Sequence, residues 1–104
     1  MNTNKYFKEK IPLKIMSNSK EFLIAVKTVK QLCQTPTTDE LKVLYGLYKQ
    51  ATIGDINIEK PGFLNFKEVT KWESWNSYKG ITQFNAEVKY IMYVNELIQI
   101  YGTH

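Results

Sequence analysis

The sequence predicts an all-α domain of four helices, and three observations favour that fold class. Four stretches of the chain repeat apolar residues every three or four positions, which is the period of an amphipathic helix. Each stretch follows a Ser, Thr or Asn residue that can cap a helix N-terminus. No segment shows a competing alternation of apolar and polar residues typical of a half-buried strand. The predicted architecture is therefore a packed helical bundle.

The first helix is predicted over roughly residues 19–34. Asn18, with Glu21 three residues later, forms a capping pair, and Pro36 ends the helix. Its apolar face is Phe22, Val26, Val29 and Cys33. Cys33, the one cysteine of the chain, is expected to be a small buried hydrophobic residue.

The second helix is predicted over roughly residues 38–53. Thr37 and Glu40 form a capping box, and Gly54 supplies a C-terminal stop. Its apolar positions are Leu41, Leu44, Tyr48 and Ala51.

A loop rich in Gly and Pro separates this helix from a short third helix and a long fourth one. Asn65 with Glu68 caps the third helix, which carries Trp72 and Trp75 and ends by Gly80. Both tryptophans are expected to pack in the interior rather than touch a ligand. Thr82 begins the fourth helix, whose predicted apolar face is Phe84, Val88, Ile91, Val94, Ile98 and Tyr101.

Length and composition set the class of protein. A chain of 104 residues with 43% hydrophobic and 23% charged residues fits one globular domain. A single cysteine cannot form an internal disulfide, and the sequence has no secretory segment or long apolar run. We therefore expect a monomer in the reducing cytoplasm.

The net charge of +4 is concentrated at the start of the chain. Four lysines and one glutamate give the first eighteen residues a charge of +3, and the remainder carries only +1. The chain contains no arginine, so any bound anion must be held by ammonium groups. A broad basic face for nucleic acid is not predicted.

One stretch, YGLYKQATIGDINIEKPG at residues 45–62, raises two possibilities. Tyr45 and Tyr48 lie one helical turn apart and Lys49 follows directly, so the tyrosines belong either to the core or to a nucleotide site. Further lysines at positions 30, 67 and 71 would suit a ligand with a flat base and several phosphates. The residues alone leave both possibilities open.

This stretch resembles the acyl-CoA-binding protein family in its tyrosine pair, Lys-Gln-Ala-Thr, Gly-Asp and Pro-Gly. The stretch KEVTKWESWNSYKG, residues 67–80, is similar to the second conserved block of that family. The resemblance runs from about Phe22 to Gly102 without an evident gap. It implies a four-helix bundle of up-down-down-up topology that binds and carries medium- to long-chain fatty acyl-CoA esters.

By this resemblance, the expected CoA contacts are Lys30, Tyr45, Gly46, Leu47, Tyr48, Lys49, Lys67, Lys71 and Tyr90. Lys49 and Lys71, with the Tyr45 hydroxyl, would hold the ribose 3'-phosphate. The adenine would lie among Tyr48 and Tyr90. Lys30 and Lys67 are either close to the rest of the head group or solvated surface lysines.

The resemblance also implies an apolar groove for the acyl chain, lined by Phe22, Val26, Leu41, Leu44 and Phe66. Two residues depart from the family pattern. Val26 stands where a smaller residue is usual, and Lys42 stands where many members are apolar. The groove is therefore either shorter than usual, or Lys42 extends its ammonium group to solvent.

An enzyme is not predicted. The sole histidine is His104, the last residue, and neither Cys33 nor any serine lies in a nucleophile motif. No metal or cofactor site is expected for the same reason. Without the resemblance, a general anion or nucleic-acid binder and a protein-interaction module would remain as alternatives; with it, acyl-CoA is the expected partner and nucleic acid is not.

Two regions are predicted: a basic N-terminal extension at residues 1–17 and an acyl-CoA-binding domain at residues 18–104. Met16 and Ser17 stand where short members of the family begin. The extension is a targeting segment, a patch for transient membrane-surface contact, or an arm laid on the bundle. Pro12 argues against one continuous amphipathic helix, and the lack of arginine argues against a transit peptide, so a flexible or loosely docked arm is favoured.

Overall fold

The computed structural model describes residues 18–104, and the predictions for residues 1–17 lie outside that range. Within residues 18–104, four α-helices follow one another: α1 Lys20–Thr28, α2 Thr38–Thr52, α3 Phe66–Asn76 and α4 Gln83–Tyr101. A 3-10 turn, Val29–Gln31, continues α1. The only β pairing within residues 18–104 is an isolated antiparallel bridge between Leu32 and Thr103. The all-α prediction is confirmed.

The helix caps were predicted with mixed success. Thr37 and Glu40 form the expected capping box at the start of α2, and the Thr82 side chain accepts a hydrogen bond from the Asn85 backbone. At α3, however, Asn65 is the N-cap residue but makes no side-chain capping bond. Its backbone, at φ −94° and ψ 74°, lies outside the extended conformation of the other caps.

The cap of α1 is Ser19 and not Asn18. The Ser19 hydroxyl accepts a 3.1 Å hydrogen bond from the Phe22 backbone N–H. The Asn18 side chain instead donates to the Ala51 carbonyl at 3.1 Å and to the Glu87 carboxylate. Asn18 therefore fastens the start of α1 to the end of α2 and to α4.

The first helix is shorter than predicted. It changes to 3-10 geometry after Thr28, and Leu32 is already extended at ψ 142°. Cys33 consequently leaves the apolar face and is exposed, which corrects the expectation that it is buried. Its backbone N–H donates to the Gly102 carbonyl at 2.9 Å, so this connection is held by the end of α4.

Paired residues show that α2 and α3 run in the same direction. Lys71 approaches the ring of Tyr45, and one turn further along both helices Lys49 approaches the ring of Trp75. Because the residue numbers rise together along both helices, the two are parallel.

The outer helices run the other way. Asn18 meets Ala51 while Phe22 stacks near Tyr48, so α1 is antiparallel to α2. Tyr101 binds Glu40, and Gln83 binds the opposite end of α2, so α4 is antiparallel to α2 as well. The topology is up-down-down-up, as expected.

The core lies where α1, α2 and α4 meet. Its buried residues are Phe22, Ala25, Val29, Leu32, Leu44, Leu47, Ala51, Ala86, Tyr90, Val94 and Leu97. None of the helices within residues 18–104 combines the length and the apolar character needed to cross a bilayer.

The predicted apolar face of α4 is rotated in the structure. Phe84 is 70% exposed and Val88 is also exposed, whereas Ala86 and Glu87 are buried. The reason is that α4 packs against both α1 and α2, so the buried arc is centred on Tyr90 and Val94. The carboxylate of Glu87 is compatible with burial because it accepts hydrogen bonds from Asn18 and from the Ser19 backbone.

Candidate functional site

The parallel helices α2 and α3 leave an open cleft between them, with a volume of about 570 Å³. We call it the α2–α3 cleft. Six of the ten lining residues lie on α3, and the remainder are in the first half of α2. The lining consists of Thr38, Leu41, Lys42, Tyr45, Phe66, Lys67, Glu68, Thr70, Lys71 and Ser74.

Two ammonium groups approach the ring of Tyr45. The Nζ of Lys71 lies 5.6 Å from the ring centroid, and the Nζ of Lys49 lies 6.0 Å from it. Both distances are within the range of cation–π attraction. Glu68 compensates part of this charge, since its carboxylate is 3.5 Å from Lys71. The wall around Tyr45 is therefore positively charged and suited to an anion.

Lys49 is held more firmly than an ordinary surface lysine. It is only 8% exposed, and its Nζ also lies 5.3 Å from the centroid of Trp75. Packing between two aromatic rings restricts the side chain before any ligand arrives, which reduces the entropy lost on binding.

Three aromatic rings form the second part of the site. Phe22 lies 6.2 Å from Tyr48 and 5.0 Å from Tyr90, and Tyr48 lies 6.4 Å from Tyr90, each between ring centroids. Tyr48 is half-buried, whereas Tyr90 is completely buried. The expected place of Tyr90 beside the adenine stays a prediction; its ring is completely buried next to that of Tyr48.

Burial also governs the chemistry of Tyr90. Desolvation, with a smaller contribution from the neighbouring Tyr48, holds the pKa of its hydroxyl far above the ordinary range. This hydroxyl is among the few buried polar atoms that have no hydrogen-bond partner within the described part of the chain. Tyr90 therefore stays neutral at physiological pH.

The structure divides the expected acyl-chain residues into two groups. Leu41 and Phe66 line the α2–α3 cleft. Phe22 and Leu44 are buried in the core, and Val26 packs against that core. Phe22 and Val26 lie on α1, which does not line the cleft, and Leu44 lies on the face of α2 that packs into the core, so an acyl-chain role for these three stays a prediction.

Of the nine expected head-group residues, three line the cleft (Tyr45, Lys67 and Lys71) and six do not (Lys30, Gly46, Leu47, Tyr48, Lys49 and Tyr90). Lys30 is exposed on the 3-10 turn after α1, and Leu47 is buried in the core. Gly46 is buried where α2 meets α3: a Cβ atom there would lie 2.5 Å from the Ser74 carbonyl oxygen and 2.7 Å from the Tyr78 ring. The missing side chain at Gly46 thus sets the separation of the two helices that form the cleft.

Sequence reasoning missed several polar cleft residues. Thr38, Thr70 and Ser74 line the cleft together with Glu68. The spacing of Lys67, Thr70, Lys71 and Ser74 places them on one face of α3, and that periodicity could have identified the set.

Hydrogen bonds to α2, to α3 and to the turn after α3 hold the loop between α2 and α3 in place. Trp75 donates to the Gly54 carbonyl at 2.8 Å, and Trp72 donates to the Ile58 carbonyl at 2.8 Å. Asp55 accepts from the Gly80 backbone N–H at 2.8 Å and from Gln50 at 2.9 Å. Trp75 is buried as predicted, while Trp72 is half-buried and anchors the loop.

The site offers anion-binding and apolar groups. Within residues 18–104, no group of three or more His, Cys, Asp or Glu side chains is arranged to hold a metal ion. The cleft can hold a molecule that is anionic at one end and apolar at the other.

A comparison with known protein families decides where this arrangement belongs. The family model described as Acyl CoA binding protein matches residues 19–94, which is most of the chain. This chain belongs to the acyl-CoA-binding protein family. The match confirms the resemblance carried by the two sequence blocks at residues 45–62 and 67–80.

Relatives within the acyl-CoA-binding protein family agree with this assignment. Acyl-CoA-binding protein 2 of Saccharomyces pastorianus is 53% identical over 77 residues, covering 74% of this chain and 88% of the relative. The solution structure of Acyl Coenzyme A Binding Protein from yeast is 48% identical, with a TM-score of 0.66, and covers 82% of this chain and 99% of that chain. The crystal structure of Oryza sativa Acyl-CoA-Binding Protein 2 is 34% identical, with a TM-score of 0.75, over 78% and 88% of the two chains. These structures confirm an acyl-CoA-binding protein bundle.

Proposed function

We propose that this protein binds medium- to long-chain fatty acyl-CoA esters without chemical change, buffering their free concentration and carrying them between membranes and enzymes. The observation that supports this function best is the α2–α3 cleft. It is lined by Leu41, Phe66 and Tyr45, and the ammonium groups of Lys71 and Lys49 approach the Tyr45 ring, which suits both halves of an acyl-CoA ester.

In this proposal the ribose 3'-phosphate lies beside Lys49, Lys71 and the Tyr45 hydroxyl. Hydrogen bonds between charged groups are shorter and stronger than neutral ones, and a phosphate offers several acceptors. The adenine stacks on Tyr48, which Tyr90 supports from the interior. Lys67 and Lys30 lie nearer the pyrophosphate and pantetheine portions.

The acyl chain lies against Leu41 and Phe66, the two expected groove residues that line the cleft. Each buried methylene group contributes about 0.8 kcal/mol, so a long chain adds several kcal/mol to binding after the ordering costs. A long-chain ester is therefore expected to bind orders of magnitude more tightly than free CoA.

In this proposal the protein is a carrier and not an enzyme. Its ligand is released unchanged, and it needs no metal or cofactor. It acts as a monomer in the cytoplasm, with at most transient contact at membrane surfaces and no role for nucleic acid.

Calorimetric titration of the full chain with palmitoyl-CoA, free CoA and palmitate tests this function. We expect saturable one-to-one binding of the ester and much weaker binding of either half. The same titration on a version that starts at Met16 reports whether the N-terminal extension contributes. A folded protein that bound no acyl-CoA ester would contradict the proposal.

A further inference from the structure

A cation lines the part of the α2–α3 cleft that is proposed to hold hydrocarbon. Lys42 lies next to Leu41 and one turn before Tyr45 on α2, and it faces the cleft together with Phe66. Its side chain is 45% exposed, so it is neither buried in the core nor fully surrounded by solvent.

The ion pair that Lys42 makes is weak. Its Nζ lies 3.6 Å from the carboxylate of Asp39, whose side chain is 92% exposed. Exposed pairs of this kind contribute little to stability, because water and salt screen both charges. A carboxylate brought by a ligand can therefore take the place of Asp39 at little cost.

Besides Lys42, the charged residues that line the cleft are Lys67, Lys71 and Glu68, and the one carboxylate among them does not compete strongly for Lys42. Glu68 also lines the cleft, but its carboxylate lies 3.5 Å from Lys71. The hydroxyl-bearing residues Thr38, Thr70 and Ser74 line the same cleft and make it less apolar than a purely hydrocarbon site. A polar group on the acyl chain is thus better accommodated here than in an apolar groove.

We propose that the α2–α3 cleft selects acyl-CoA esters whose chain carries a carboxylate remote from the thioester, with Lys42 as the specificity-determining residue. This inference rests on the proposed function and names a ligand class within it. A plain hydrocarbon chain forces the Lys42 ammonium outwards, whereas a remote carboxylate pairs with it.

Calorimetric titration of the full chain with three ligands tests the inference: palmitoyl-CoA, hexadecanedioyl-CoA and the methyl ester of hexadecanedioyl-CoA at its remote end. The methyl ester keeps the polar end but removes the charge. We expect the free diacid ester to bind about fivefold more tightly than its methyl ester, the upper end for an exposed ion pair. This advantage should shrink as salt is raised.

Three variants assign the effect to Lys42. Lys42→Leu should abolish the preference for the diacid ester, and Lys42→Glu should reverse it. Lys89→Leu removes an exposed lysine of α4 that does not line the cleft and should leave the preference unchanged.

The outcomes separate this inference from the proposed function. Equal affinity for the diacid ester and its methyl ester would overturn the inference while leaving acyl-CoA binding intact. An equal loss for all three ligands in Lys42→Leu would also overturn it, because it would place Lys42 at the head group. Failure of the folded protein to bind any of the three esters would overturn both.

Discussion

Lysine supplies the positive charge around Tyr45, and the two lysines there are held differently. Lys49 is packed between the rings of Tyr45 and Trp75. The Lys71 side chain is 31% exposed and forms an ion pair with Glu68. An ammonium group acts as a compact point charge and not as a planar two-pronged donor. Position relative to Tyr45 therefore decides which phosphate each lysine can reach.

Replacing either lysine should selectively weaken the binding of CoA esters that carry the 3'-phosphate. We expect Lys49→Ala or Lys71→Ala to reduce affinity for palmitoyl-CoA by about tenfold or more, the size of a lost hydrogen bond to a charged group. The affinity for the same ester without the 3'-phosphate should fall far less. Calorimetric titration of both ligands measures the difference, with Lys89→Ala as the control for removing a positive charge that does not line the cleft. Equal losses for both ligands would contradict the assignment of these lysines to the 3'-phosphate.

The residues of the site differ in how far the sequence could predict them. Tyr45 and Lys49 are neighbours on one helix, so local spacing alone grouped them. Lys71 is on another helix, and only the family resemblance joined it to Tyr45 before the structure did. The burial of Tyr90 could not be predicted from spacing, because it depends on how α1 and α2 both cover α4.

The close approach of α2 and α3 depends on the absence of a side chain at Gly46. A Cβ atom there would fall 2.5 Å from the Ser74 carbonyl oxygen, which is backbone and cannot rotate away. We expect Gly46→Ala to lower the free energy of unfolding by about 1–3 kcal/mol, as overpacking does, despite the better helix propensity of alanine. Chemical denaturation measures this change.

The matched control for Gly46 is Gly62→Ala. A Cβ atom at Gly62 would have no neighbour within 4 Å, so stability should stay within about 0.5 kcal/mol of the original protein. Gly46→Ala should in addition weaken palmitoyl-CoA binding, since α3 carries Lys71 away from Tyr45. Unchanged stability in Gly46→Ala would show that the two helices can separate without cost.

Helix boundaries were predictable where the deciding contacts are local. The Thr37 capping box needs only Glu40, three residues away, and it forms as predicted. The choice between Asn18 and Ser19 was not predictable, because both side chains can cap a helix and the outcome depends on Ala51 and Glu87. The direction faced by Phe84 was missed for the same reason, since it follows from the packing of whole helices.

Two carboxylates connect distant parts of the bundle. Glu40 accepts a hydrogen bond from the Thr37 backbone N–H and another from the Tyr101 hydroxyl, at 2.9 and 2.7 Å. These bonds, led by the one from the Thr37 backbone, hold the pKa of Glu40 below its ordinary value. The Gly80 backbone N–H, followed by Gln50, lowers the pKa of Asp55 in the same way.

The bundle should therefore lose stability in acid. A carboxyl group whose pKa is lower in the folded state contributes stability above its unfolded pKa, and that contribution disappears as pH falls through the folded pKa. We expect the melting temperature of Glu40→Gln to lie below that of the original protein at neutral pH. The difference should vanish at a pH below the folded pKa of Glu40, where both proteins carry a neutral group at this position.

Thermal unfolding monitored by circular dichroism across this pH range measures the effect. Glu59→Gln removes an exposed glutamate from the loop between α2 and α3 and serves as the matched control. A melting-temperature difference for Glu40→Gln that stayed constant into acid would show that the carboxylate charge contributes nothing to the contact between α2 and α4.

The thirteen residues between Thr52 and Phe66 make the parallel arrangement of α2 and α3 possible. Antiparallel helices can be joined by a tight turn, but a parallel pair requires the chain to travel back along its neighbour, about 16 Å for the eleven residues of α3. Cutting this loop to a tight turn would reverse α3 and turn Lys71 away from Tyr45. The charge pattern of the cleft is thus encoded as much by the length of a loop as by the lysines themselves.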